Sequence, residues 1–129
     1  MSVSREAFAE QVKEALLHLY DVAYLPQMEL ASWLVEGRTG SRDERAQALR
    51  RVLVQGIERL DAGAHLPFRA RERRSYAILA GRYVRSLTTQ DVMDELALSE
   101  RQYWREHKKA VDALVDLLWE DYCQRAAQD

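Results

Sequence analysis

Glycine and proline are scarce in this 129-residue chain, at five and two, so irregular connections must be few and short. Cysteine occurs once, at Cys123, which excludes an internal disulfide and makes a reducing, cytoplasmic setting the expectation. No apolar run approaches the roughly 20 residues that a membrane-spanning helix needs. The opening residues MSVSREAFAE lack the basic-then-apolar order of a signal peptide. His18, His65 and His107 have no companion cysteines or carboxylates at metal-ligand spacing, so no metal is expected. There is no glycine-rich phosphate loop and no nucleophile elbow. Serine–glutamate pairs such as those in SREAFAE read as helix caps, not catalytic dyads. Neither an enzyme nor a bound cofactor is expected.

What the chain does contain is helical period. Hydrophobic residues make up 47% and charged residues 31%, the balance of a soluble globular protein and not of a disordered one. Apolar residues recur three and four apart, and no segment sustains the alternation of a strand. Ser4 caps a first helix with Phe8, Val12, Ala15, Leu16 and Leu19 inward. The chain turns at Leu25-Pro26, because proline disfavours helix at the residue before it. A short helix with Met28, Leu30, Trp33 and Leu34 follows, stopped by Gly37. Ser41 and Glu44 form a capping box for a third helix, which runs to about Leu60 with Ala46, Leu49, Val52, Leu53, Ile57 and Leu60 inward.

DAGAHLPFRA, residues 61–70, reads as a linker because it holds Gly63 and Pro67. The expected architecture is therefore all-α. A helical N-terminal subdomain for support or dimerisation covers 1–62, and a second helical domain ending in a long packing helix covers 68–129. The fourth helix should span 69–85 and bury Tyr76, Leu79, Ala80 and Tyr83. The last should be strongly apolar, with Val111, Leu114, Val115, Leu117, Leu118, Trp119 and Tyr122. Cys123, near its end, reads as a small buried or half-exposed apolar residue.

A net charge of −2 looks wrong for a nucleic-acid binder until it is divided along the chain. Residues 69–110 hold ten basic and six acidic side chains, whereas 111–129 hold one and five. Long-range attraction to phosphate depends on where charge sits, and the positive share sits in one segment. Arg69, Arg71, Arg73 and Arg74 cluster at the start of the fourth helix, where cations oppose the helix dipole. That cost points to phosphate contact; simple solvation is the alternative.

The centre of the basic segment is LTTQDVMDELALSERQYWREHKKA, residues 87–110. Thr88 with Asp91 starts one short helix, whose buried face is Val92, Met93 and Leu96. Leu98 plugs a break of about three residues, and Ser99 with Gln102 is a second capping box. Helices joined so tightly cross steeply. In the second helix Tyr103, His107, Ala110, Val111 and Leu114 form the inner stripe, and Arg101, Gln102, Trp104, Arg105, Lys108 and Lys109 face outward. Arg and Gln read guanine and adenine edges with two hydrogen bonds each, and Lys and Arg hold phosphates. This is the layout of a helix-turn-helix reader.

Residues 76–114 resemble the helix-turn-helix of the fourth region of bacterial sigma factors and of LuxR-type regulators, through Leu87, Thr88, Val92, Leu96, Leu98, Ser99 and Ala110 at uninterrupted spacing. The resemblance implies a bacterial transcriptional regulator that binds double-stranded DNA sequence-specifically, with Ser99–Lys109 in the major groove. The chain departs from the pattern at Met93, where a small residue is usual, at Ala97, the turn glycine, and at His107, an apolar position. Base contacts are assigned to Arg101, Gln102, Trp104 and Arg105. Phosphate contacts are assigned to Arg85, Thr88, Thr89, Gln90, Ser99, Lys108 and Lys109. His107 on the inner stripe is expected to make stability depend on pH.

Two other readings stand beside this one. The outward face of the second helix would also suit a helical interaction module that meets polymerase or a signalling partner. The chain would also suit the N-terminal part of a larger regulator. The last helix carries more apolar surface than one narrow stripe needs. Either the first three helices cover it or a second copy does, and a homodimer is expected because two-fold readers hold two recognition helices about one DNA turn apart.

Overall fold

The helices begin where side chains can answer their first unpaired amides. In the computed structural model, which describes residues 3–35, 40–61, 63, 65–67 and 71–128, the first start is at Ser4. Its hydroxyl accepts from the amide of Ala7, and α1 runs Arg5–Leu17. Leu25–Gln27 make one 3₁₀ turn around Pro26, and α2 follows at Glu29–Leu34. Val35 is already extended; the stop expected at Gly37 lies outside the described residues. Ser41 accepts from the amide of Glu44 at the start of α3, Arg42–Arg59.

The stretch expected as one uniform helix over 69–85 is built differently. Arg71–Arg73 form a 3₁₀ turn, α4 is Arg74–Leu79, and Ala80–Val84 form a π turn. Buried here are Ala77, Ile78, Leu79, Ala80 and Gly81, while Tyr76 and Tyr83 are half-buried. A π turn accommodates one extra residue, so the inward positions no longer follow a 3.6 repeat. Gly81 has a steric reason: a Cβ there would lie 3.3 Å from Val92 Cγ2.

The opening helix of the central stretch is α5, Thr89–Leu96, with a complete capping box. Thr88 Oγ1 accepts from the amide of Asp91, and the Asp91 carboxylate accepts from the amide of Thr88. The helix ends in a Schellman turn. The Leu98 amide donates to Met93 O, the Ala97 amide donates to Asp94 O, and Ala97 sits at φ 56°. The glycine-free turn is thus a left-handed alanine. Ala97→Gly is expected to stabilise the protein by about 1 kcal/mol, after relief of αL strain is offset by the freer unfolded chain. Chemical denaturation checks this, and an unchanged or lower midpoint would contradict it.

Ser99 opens α6, Glu100–Gln128, with its own capping box: its amide donates to Gln102 Oε1 and its hydroxyl accepts from the Gln102 amide. The reading helix and the apolar last helix expected from sequence are therefore one element of 29 residues. The architecture is all-α, with no strand among the described residues. No helix among them is long and apolar enough to cross a membrane. Cys123 is exposed, not buried or half-exposed; it lies in the last turns of α6, where exposed positions predominate.

The chain divides into two compact units, residues 1–55 with 115–129 and residues 56–114. This division differs from a cut at the 61–70 linker, since the last half of α6 belongs with the N-terminal helices. In the first unit, Phe8 is fully buried and its ring stacks on Trp33 and Tyr122 and meets Trp119 edge-on, with centroids 5.1–5.9 Å away. Arg50 donates to Leu19 O, Arg125 donates to Leu34 O, and Arg5 pairs with Asp116. The second unit has its own core of Ala77, Ile78, Val92, Leu96, Leu98 and Tyr103, with Leu87 and Met93 packed against it.

Candidate nucleic-acid interface

Every side chain assigned to DNA from the sequence lies in the unit formed by residues 56–114. The core of this unit fixes how α6 presents its first turns. Tyr103 is 0% exposed and enters the cluster of Ile78, Val92 and Leu98. Helical spacing then sends Arg101, Trp104, Arg105 and Lys108 to the opposite side. All four are exposed, as are Gln102 and Lys109. Trp104 is 50% exposed, with its ring set at steep angles to Tyr103 and His107 at centroid distances of 4.9 and 5.5 Å.

The assigned residues differ in how free their polar groups are. The Gln102 carbonyl is already an acceptor for the Ser99 amide, so bidentate reading of adenine requires the cap to open; its amide hydrogens are uncommitted to that bond. Thr88 and Ser99 use their oxygens as cap acceptors and keep a hydroxyl hydrogen to donate. Gln90 donates to Asp94. Arg85 pairs with Glu95 at 3.0 Å, which reduces the charge it offers a phosphate. Thr89 is half-buried and faces the Tyr103 hydroxyl, a position less open to a backbone than the sequence implied.

The arginine cluster before α4 splits. Arg73 makes a two-pronged pair with Asp61, 3.0 Å on each prong, and donates to Leu66 O. These bonds hold the Asp61 carboxyl below its usual range, and they make Arg73 a fastener of its own unit. Arg74 reaches Glu106 of α6, Arg71 is exposed, and Arg69 lies outside the described residues.

Two polar features on the inner side of α6 escaped the sequence reading. The Tyr103 hydroxyl is buried with no partner at normal hydrogen-bond geometry among the described residues. Burial pushes this phenol up, and the nearby Thr89 side chain opposes the rise. The second is a contact of 2.7 Å between the Tyr83 hydroxyl and His107 Nε2, which ties the π turn to α6. With the imidazole neutral and Nε2 unprotonated, the tyrosine donates.

Burial lowers the His107 pKa, and the Arg82 charge lowers it further. The folded protein therefore holds this ring neutral, while the unfolded chain takes up a proton near the ordinary histidine value of about 6.5. Its contribution to stability is complete above that pH and is lost as pH falls toward the depressed folded value. His107→Gln is expected to lose less unfolding free energy between pH 8 and pH 5 than the wild type, as read by urea titration at each pH. An acid loss of the same size in both proteins would assign it to other groups.

Neither any family model nor any curated protein or solved structure matches the chain.

Proposed function

We propose that this protein is a sequence-specific DNA-binding regulator whose α6 enters the major groove from Ser99 onward, in the manner of a helix-turn-helix reader. The observation that carries this reading is the exposed stripe of Arg101, Gln102, Trp104, Arg105, Lys108 and Lys109 on the first three turns of a capped helix. The short Ala97–Ser99 connection braces it with α5. Arg101 and Arg105, one turn apart, are the principal base readers, and Gln102 contributes through its amide hydrogens. Lys108 and Lys109 hold phosphates on one side, and Thr88, Gln90, Ser99 and Arg85 serve the other. The likeness to sigma region four and LuxR-type helices supports the same reading and makes a bacterial transcriptional role the proposal.

Two-fold assembly on DNA belongs to the proposal, but the last helix no longer argues for it. Val111, Leu114, Val115 and Leu118 are buried within one chain, and Trp119 and Tyr122 lie against Phe8. The experiment is selection of bound fragments from a random duplex pool by the purified protein, with the size of the complex measured. Enrichment of one motif is expected; a pool that stays random through repeated rounds would overturn sequence reading.

A second reading, an interaction module for another protein, draws on the half-exposed Trp104, on the exposed Leu17 at the end of α1 and on the exposed Tyr20 and Val22 that follow it. Such a contact would not enrich any duplex.

A further inference from the structure

We infer that Glu106 sets the sequence discrimination of the reading face, by restraining Arg105 for its base while repelling phosphate in every register alike. This rests on the DNA-binding reading above. Glu106 is the only carboxylate between Arg101 and Ala110. It follows Arg105 directly and precedes Lys109 by one helical step of three, so it lies at the edge of the exposed stripe. Its side chain is 16% exposed. One of its oxygens is 4.0 Å from Arg74 Nη1, 4.0 Å from Arg105 Nε and 3.9 Å from Lys109 Nζ. Arg74 comes from α4, so the carboxylate joins a second helix to the stripe.

A carboxylate this close to an interface with DNA opposes binding to every sequence alike. Partial burial leaves its charge less screened than that of an open surface pair. An anion that served only attraction to phosphate would be misplaced here. It is well placed to restrain Arg105. A guanidinium held by an anion on one edge loses less rotamer freedom when its other edge meets a guanine. The restraint benefits the correct site, whereas the repulsion falls on all sites. The difference between them is specificity.

The test uses the whole protein, the duplex selected by the wild type and a random-sequence duplex of equal length. Glu106→Gln removes the charge and keeps the shape. Affinity for the random duplex is expected to rise about threefold to tenfold, and the ratio of selected to random affinity to fall about tenfold. In an Arg105→Ala background the same change should raise both affinities equally and leave the ratio unmoved, because the group being positioned is gone. Arg74→Gln, which removes the link to α4 but keeps the carboxylate, should lower both affinities together. The proposal is overturned by an unchanged ratio in Glu106→Gln, by a parallel fall on both duplexes, or by an Arg74→Gln ratio that falls as far as that of Glu106→Gln. A wild type that binds no duplex at all overturns the DNA reading itself, a different result from an unchanged ratio.

Discussion

Replacing Arg105 with alanine is expected to weaken binding to the selected duplex by about 10–100-fold and binding to random duplex by only about threefold. The asymmetry follows from what a guanidinium does in each place. On a guanine edge it makes two hydrogen bonds of fixed geometry, and a wrong base leaves both unmade in a partly dried groove. On a phosphate it contributes one screened charge among several. Arg105 is exposed, sits near the N-terminal end of α6, and has its Nε 4.0 Å from the Glu106 carboxylate. Equal losses on both duplexes would remove the base-reading role and leave a phosphate role. Thermal unfolding should be nearly unaffected, since the side chain is 59% exposed and buries little.

The features legible in the sequence are those that local chemistry decides. Ser4, Thr88 and Ser99 each stand three residues before the amide they accept from, and each starts a helix there. The inner positions Tyr103, Ala110, Val111 and Leu114 follow from a 3.6 repeat, and so therefore does the outward stripe. Ala97 stood out only through the resemblance, as an alanine at the turn glycine, and its φ of 56° is what the structure adds. The continuity of α6 was not expected, although the sequence holds nothing against it. No glycine or proline lies between Glu100 and Gln128, so nothing interrupts the helix that the reading segment begins.

What escaped depends on partners distant in sequence. The π turn at Ala80–Val84 has no compositional signature; it coincides with the close approach of Gly81 to Val92, eleven residues on. Tyr83 and His107 meet across 24 positions, and Arg74 and Glu106 across 32, so no spacing rule links them. Arg73 looked like part of a phosphate-binding cluster because cations before a helix oppose its dipole. The cost is answered instead by Asp61, 12 residues away in sequence but adjacent in space. The apolar excess of the last helix had two possible covers, and the aromatic contacts of Phe8 show one of them within the chain.

The proposal that the cationic stripe of α6 meets duplex DNA is tested most directly by the salt dependence of binding to the selected duplex. Lys108, Lys109 and Arg85, joined by Arg101 and Arg105, would displace about three to five counterions per chain. Affinity should then fall about 10²-fold between roughly 50 and 200 mM monovalent salt, along a straight line in logarithmic coordinates. Binding that changes less than about threefold over that range would contradict the account and point to a contact with an apolar centre.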